Sequence, residues 1–525
     1  MLIFKFNSKA LQVEWPFPAK CSCQIYCRLT LLINIYNGEF KHIKFHFLTF
    51  KLNLTIIFIL RITMPSEILD LMENALEKAL NVDFIELRFH ERRNFSVNVK
   101  NGQVERIING SIRGVCARSL VNGCWGFAST TNLTAEGLAS IIERSIKAAK
   151  ASSKYKRRTV KLEERKTLKD EYVTPMRKDP LKIDVENLVN EALEVDKTVR
   201  NFSELIAMDT VSIGYVNDQL IYVSSDGARI RQRIVRCSGR CQVIAREGGK
   251  IAMGADNVGA QSGLEIFDET PLMNAGRTAA ERAVRLVNAR MPKSGYYPVV
   301  LENRIVGLLA HEAVGHTAEA DLVFSKSYLS DKLGVKVASD LITLVDDGRY
   351  PRGYGTMMYD DEGTPTQRTV IIENGICKGF MHSRETAYEF GVEPTGNARA
   401  WTFEYDPLVR MRNTYIEPGD YSLEELIEDI DEGYYLVGGR SGQADSTGEF
   451  MFGVQEAIKI ERGKLTEHCR GVTISGNAFE VLKNVDAIGK DFVMRRGMCG
   501  KEQVNYVGMG GATLRTKVII GGGGR

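Results

Sequence analysis

The chain holds seven histidines, and two of them flank a glutamate in His311-Glu312-Ala313-Val314-Gly315-His316. Imidazole nitrogens ligate zinc, and an adjacent glutamate can take a proton from a water that the metal polarises. In the familiar zinc-protease motif the two histidines stand four residues apart on one helical face. Here they stand five apart, which on a regular helix leaves them roughly 140° from one another, too far to share an ion. A single turn widened to i→i+5 bonding would bring them onto one face, and such turns recur at functional sites. Gly315 makes that distortion cheap. The motif therefore predicts a metal site and a local helix irregularity together.

The competing reading is a pair of core histidines that happen to be close. Against it stands Glu312, whose buried charge would otherwise cost several kcal/mol. A metal offsets that charge, but two histidines do not complete a zinc site. Glu319, His382, His468, Cys469 and Cys499 are all candidates for the third ligand. Cys499 lies in Arg496-Gly497-Met498-Cys499-Gly500-Lys501, where flanking glycines allow a close backbone approach; a buried free thiol is the alternative. His382 and His468 read more readily as structural. Cys237-Ser238-Gly239-Arg240-Cys241 has the look of half a metal site but reads better as a strand with two small buried sulfurs. Asp346-Asp347 and Asp360-Asp361-Glu362-Gly363 lack the alternating oxygen spacing of a calcium loop, so solvated or turn-forming carboxylates are expected. Gly508-Met509-Gly510-Gly511 has no strand–loop–helix context and is not a nucleotide loop.

The elements that must position these residues follow from periodicity. A helix is expected over 68–80, strands over 84–89 and 95–100, and a tight hairpin at Asn101-Gly102. A second hairpin joins 114–120 to 124–127. Helices are expected over 135–153, 185–199 and 275–289, with strands dominating 205–255 and a charged, proline-containing linker over 154–180. Met291-Pro292-Lys293-Ser294-Gly295 marks a boundary. Beyond it come a strand over 297–301, a helix from about 303 that carries the metal motif, and strand-and-turn chain to the end. The fold class is α+β: an N-terminal α+β domain, 64–290, and a β-rich catalytic domain, 291–525.

Composition narrows the class further. Hydrophobic residues are 44% and charged residues 26% of 525, as in a globular protein of more than one domain. Residues 1–63 carry eight of the 69 Lys and Arg and two of the 66 Asp and Glu, which leaves 61 against 64, or −3, for the rest. No basic nucleic-acid surface is implied. That first segment sustains no period, and its apolar run 47–60 is too short and polar for a membrane span. Met64 is expected as the natural start, with residues 1–63 a disordered extension. Seven cysteines remain beyond it, an odd number without a secretory signal, so reduced thiols and a cytoplasmic location are expected.

Taken together, these residues resemble the TldD/PmbA family of metalloproteases, in its TldD branch. The resemblance runs over most of 64–525. It rests on Gly123-Cys124-Trp125-Gly126-Phe127, Tyr297-Pro298-Val299-Val300-Leu301, the His311 motif, Asp360-Asp361-Glu362-Gly363-Thr364-Pro365, Pro394-Thr395-Gly396-Asn397, Arg410-Met411-Arg412-Asn413-Thr414, Gly439-Arg440-Ser441-Gly442-Gln443 and Met498-Cys499-Gly500-Lys501. It implies that His311, His316 and Cys499 bind Zn2+ and that Glu312 is the general base. It also implies unfolded or small peptides as substrates, and a homodimer or a heterodimer with a PmbA-like subunit. The peptide is expected to bind as an added strand on a sheet edge. A metal-dependent amidase, or a peptide-binding scaffold with a structural metal, are the competing functions.

Overall fold

The computed structural model describes residues 3–7, 10–14, 67–79, 82–166 and 168–522. Two compact units divide at Pro65. In the first, the strands Ile3–Asn7 and Ala10–Glu14 pair antiparallel; the expected start at Met64 and most of the expected extension lie outside the described residues. The second unit spans Ser66–Arg525.

Its N-terminal half is a seven-stranded sheet faced by helices. The order is Cys124–Thr130, Gln103–Val121, Phe84–Lys100, Ile206–Ser224, Arg229–Glu247 and Lys169–Val173, with Lys250–Ala260 also paired to Arg229–Glu247. Both expected hairpin turns are present. Asn101 and Gly102, then Asn122 and Gly123, take positive φ, the conformation that matches the twist of the flanking strands. The two short strands expected over 84–89 and 95–100 are one continuous strand, Phe84–Lys100. The intervening polar stretch, residues 90–94, reads as a break in sequence because its neighbours are not yet known. In the sheet it is paired on both sides, by Gln103–Val121 and Ile206–Ser224.

Alternation along that strand sorts its side chains between two faces. Ile85, Leu87 and Phe89 join Leu69, Met72, Leu138 and Ile141 beneath the helices at 67–76 and Ala135–Ser153. Val185–Arg200 and Leu272–Leu286 cover a second apolar cluster that holds Cys237 and Cys241. These two sulfurs are buried strand thiols, and burial pushes Cys237 well up and Cys241 up to about 12. The opposite face carries Glu86, Arg88, His90 and Arg92, also buried. It meets the C-terminal half through ions: Arg88 lies 3.3 Å from Asp361 and Arg118 lies 2.8 Å from Glu362. The acidic run at 360–362 is thus buried, not solvated. Asp360 forms a turn, accepting the N–H groups of Glu362, Thr364 and Ala398.

The C-terminal half has two large sheets and a two-stranded one, Ala398–Arg399 with Leu408–Val409. In the first, Gly295–Leu301 pairs with both Glu432–Ala444 and Leu514–Gly521, which closes a ring through Glu449–Glu461 and Val472–Asn477. In the second, the order is Ile376–Cys377, Arg368–Glu373, Leu344–Asp347, Asn413–Ile416, Gln503–Gly511 and Val493–Lys501. The helix that follows Gly295–Leu301 is mostly apolar, and Ile305, Val306, Leu309, Ala313 and Val314 sit in the main core. A helix of that composition must be enclosed. Gly307 lets it rest directly on Gln503–Gly511, since a Cβ there would come within 3.0 Å of the Met509 and Gly510 backbone.

Candidate metal centre

The helix begins in ordinary form at Asn303–Leu308, widens over Leu309–Gly315 and tightens over His316–Ala318. The His316 N–H bonds to the His311 carbonyl, five residues back. That bond is the expected widened turn, and it brings the two imidazoles together with centroids 5.4 Å apart. Gly315 serves it differently from the expectation. Its φ of −57° is plain helix, so no special backbone freedom is used. A Cβ there would instead strike Met411 Sδ at 2.1 Å, so Gly315 is needed for close approach.

Cys499 arrives from the other side. It lies on Val493–Lys501, directly across from Asn505 of the strand on which the helix rests. Helix and hairpin are thereby held in one register. Cys499 Sγ stands 3.2 Å from His316 Nε2, and one ligand atom from each of His311, His316 and Cys499 lies within 4.8 Å of the others. Neither ring nitrogen of fully buried His311 has a hydrogen-bond partner among the described residues. Orphaned buried nitrogens cost about 1–3 kcal/mol each. Two imidazoles and a thiol, with nitrogens left unpaired, fit a zinc ion in donor chemistry and in separation.

His316 is oriented by Glu319. Its Nδ1 donates to Glu319 Oε2 at 3.0 Å, which leaves Nε2 facing Cys499. A carboxylate behind a ligand histidine is the usual way to set its tautomer and basicity. Glu319 is itself held by Lys501 Nζ at 3.0 Å and approached by Arg410 Nε at 3.8 Å. The Arg410 guanidinium also donates to the carbonyls of Cys499 at 3.0 Å and Gln503 at 2.6 Å. One buried arginine thus ties the cysteine hairpin to the group that orients His316.

Charges follow this geometry. Burial alone would push the Cys499 thiol up, but the imidazoles of His311 and His316 bring it down to about 4. Burial disfavours a charged His316, yet Glu319 and Cys499 lift it to about 10. Burial would raise Glu319, and His316, Lys501 and Arg410 hold it at about 2. Glu312, with its side chain 22% exposed, points its carboxylate to within 3.7 Å of His316 Nε2. Among the described residues it is the acidic group that faces the cluster with partial access to solvent.

The other candidates lie elsewhere. His382 bonds Thr386, His468 bonds Glu456, and Cys469 belongs to the apolar core. Glu319 touches the site without facing the donor cluster. Arg410 and Lys501 were not singled out from sequence, although both lie in the short motifs quoted above. Nothing in residue type alone separates a positioning arginine from a surface one.

Comparison with known proteins agrees with this geometry. Residues 294–521 match the PmbA/TldA metallopeptidase C-terminal domain, 85–149 its domain 1 and 178–287 its central domain. A metalloprotease of Methanocaldococcus jannaschii is 38% identical over 449 residues, 85% of this chain and 98% of that protein. This chain belongs to the PmbA/TldD metallopeptidase family. The family's zinc metalloprotease TldD homolog from Saccharolobus solfataricus is 30% identical over 452 residues, 85% of this chain and 97% of that one. Among solved family structures, TldE from Thermococcus kodakarensis superposes with a TM-score of 0.72 at 22% identity, covering 86% of this chain and all of its own. A putative modulator of DNA gyrase from Thermotoga maritima also reaches 0.72, at 23% identity, covering 87% of this chain and all of its own. At those identities the likeness is one of fold. No helix among the described residues is long and apolar enough to cross a membrane.

Proposed function

We propose that this chain is a zinc-dependent peptidase acting on unfolded or small peptides, with His311, His316 and Cys499 holding the metal and Glu312 as general base. The observation that carries it is the convergence of three donors within 4.8 Å around a histidine whose nitrogens have no other partner. When bound, zinc supplies Lewis acidity and a water acidic enough to be deprotonated near neutral pH. The chain's own residues do the rest. Glu312 accepts the proton of the attacking water at its carboxylate and returns it to the departing amine nitrogen. Glu319 keeps the His316 Nδ1 proton in place, so that Nε2 stays available. Thiolate ligation by Cys499 donates more charge than a third imidazole would, which favours modest turnover.

The substrate backbone docks on Val493–Lys501. That strand ends its sheet, and its only backbone partner among the described residues is Gln503–Gly511. An extended peptide adds there as a further strand, which selects unfolded chains. The working unit is a dimer, with a second copy or a PmbA-like subunit closing over the cleft, in the cytoplasm. Zinc content and cleavage of an unstructured peptide library test the reading. Glu312→Gln should retain about one zinc and lose about 10²–10⁴-fold in turnover. Full activity in that variant, or a protein that refuses zinc, refutes it.

A further inference from the structure

The edge strand that carries Cys499 also carries Arg495 and Arg496. Successive residues of a strand point to opposite faces, so the two guanidinium groups flank the edge from above and below. Neither forms an ion pair among the described residues, and the Nε of each is buried without a hydrogen-bond partner. Arg240 and Arg440 nearby form no ion pair among the described residues either; they donate to the Gln242 side chain at 3.2 Å and the Met253 carbonyl at 3.3 Å. Carboxylates are present, but they are engaged. Asp256 and Glu302 face Arg304, and Glu456 takes Arg282, Arg285 and His468.

Excess positive charge therefore lines this edge. Burial first, and then neighbouring arginines, depress Arg240, Arg440 and Arg495 below the ordinary arginine range. The far wall is the strand Lys250–Ala260, on whose Gly259 Arg496 lies so closely that a Cβ would meet its Cδ at 2.5 Å. Lys250–Ala260 pairs only with Arg229–Glu247 among the described residues, and Arg496 packs directly against it.

We propose, on the basis of the peptidase reading above, that the substrates are extended peptides bearing acidic side chains, received by Arg495 and Arg496 three and four residues along the edge strand from Cys499. At the rise of a strand this is about 10–13 Å from the metal ligand. Two successive residues of an added strand fall on opposite faces, one opposite each arginine, where unlike charges attract across strands. Among the described residues no further strand pairs with this edge, and Arg410 donates to the carbonyls of Cys499 and Lys501. The remaining backbone N–H and C=O groups suit a peptide, whereas a nucleic acid has no matching row to offer.

The test uses the zinc-loaded full chain and a set of short unstructured peptides of one sequence, with Glu, Gln or Lys at the positions upstream and downstream of the cut. The Glu set should show kcat/KM about tenfold above the Gln set, with Lys lowest, and the ratio should shrink at high salt. In an Arg495→Gln/Arg496→Gln double variant the Glu-to-Gln ratio should fall to about one. Equal rates on Glu and Gln peptides in the unaltered protein overturn the proposal while leaving the peptidase reading standing. If no peptide is cut, that reading fails, and fluorescence anisotropy with labelled Glu and Gln peptides still decides the preference. A single-stranded oligonucleotide that competes as well as the Glu peptide would make the band a general polyanion surface and overturn the peptide assignment.

Discussion

Two buried polar clusters in this molecule are built on opposite principles. Around Asp218, three donors converge on one carboxylate: His90 Nε2 at 2.9 Å, Arg92 Nε at 2.6 Å and Arg236 Nη1 at 3.1 Å. Burial would raise Asp218, but Arg92, His90 and Arg236 hold it well below the usual carboxylate range. All four residues come from three adjacent strands, and Arg92 and Asp218 are direct cross-strand partners. Around His311 the donors come from a helix and a hairpin far apart in sequence, and the His311 nitrogens are left without partners. The first cluster closes on its one carboxylate within a single sheet, although Arg92 Nη1 is left without a hydrogen-bond partner among the described residues and the four residues line a cavity. The second is assembled and left incomplete, which is what a ligand-binding group requires. Burial alone is therefore a poor guide to function here.

The largest expected effect tests the closed cluster. Asp218→Asn leaves Arg92 and Arg236 buried without their counter-ion and should cost about 3–5 kcal/mol of stability, read as a lowered urea midpoint. Zinc affinity of the protein that remains folded should not change. A loss below about 1 kcal/mol would break the contrast, because the cluster would then not be structural.

Next comes the open cluster. Glu319→Gln should weaken zinc binding by about 10–100-fold in competition with a chelator, since the amide no longer fixes the His316 tautomer. Unchanged affinity would mean that the widened turn alone sets His316.

The smallest effect concerns a third buried group that resembles the open cluster in lacking donors. Neither carboxylate oxygen of Asp209 has a hydrogen-bond partner among the described residues, and burial, together with Asp196 beside it, lifts it to about 7. The unfolded chain releases this proton near about 3.9. Between these values the folded state binds more protons, so stability falls as pH rises and the full cost stands above about 7. Asp209→Asn should therefore gain on the unaltered protein by roughly 1–2 kcal/mol between pH about 5 and about 8, followed by urea denaturation at each pH. Parallel curves would show that Asp209 is already neutralised by another contact.

The reach of the sequence can be read from particular residues. Helix Ala135–Ser153 falls where periodicity puts it, because its apolar stripe needs only one covering face. Asn101-Gly102 and Asn122-Gly123 turn where their dipeptides demand, because few other residues tolerate positive φ at both positions. The carboxylates at 346–347 and 360–362 read as solvated or turn-forming; all are buried, and Asp360 forms a turn. Charge alone carries no record of the arginines and backbone donors that reach it from elsewhere, such as Arg118 on Glu362 and the Arg412 N–H on Asp346.

The His311 spacing was enough by itself to call for a helix widened or ended between the two histidines, since side chains five residues apart do not share a face of a regular helix; the structure takes the widened form. Composition and alternation were likewise enough for an α+β chain with a β-rich C-terminal half. What only the tertiary structure decided is which distant group completes the cluster and which groups hold it. Cys499, Glu319, His382, His468 and Cys469 were all available, and local sequence ranks them weakly. The choice was made by Gly307 seating the helix on Gln503–Gly511, by the register that places Cys499 across from Asn505, and by Arg410 bonding the hairpin carbonyls. Those are long-range contacts, and their geometry exists only once the core around the helix has closed.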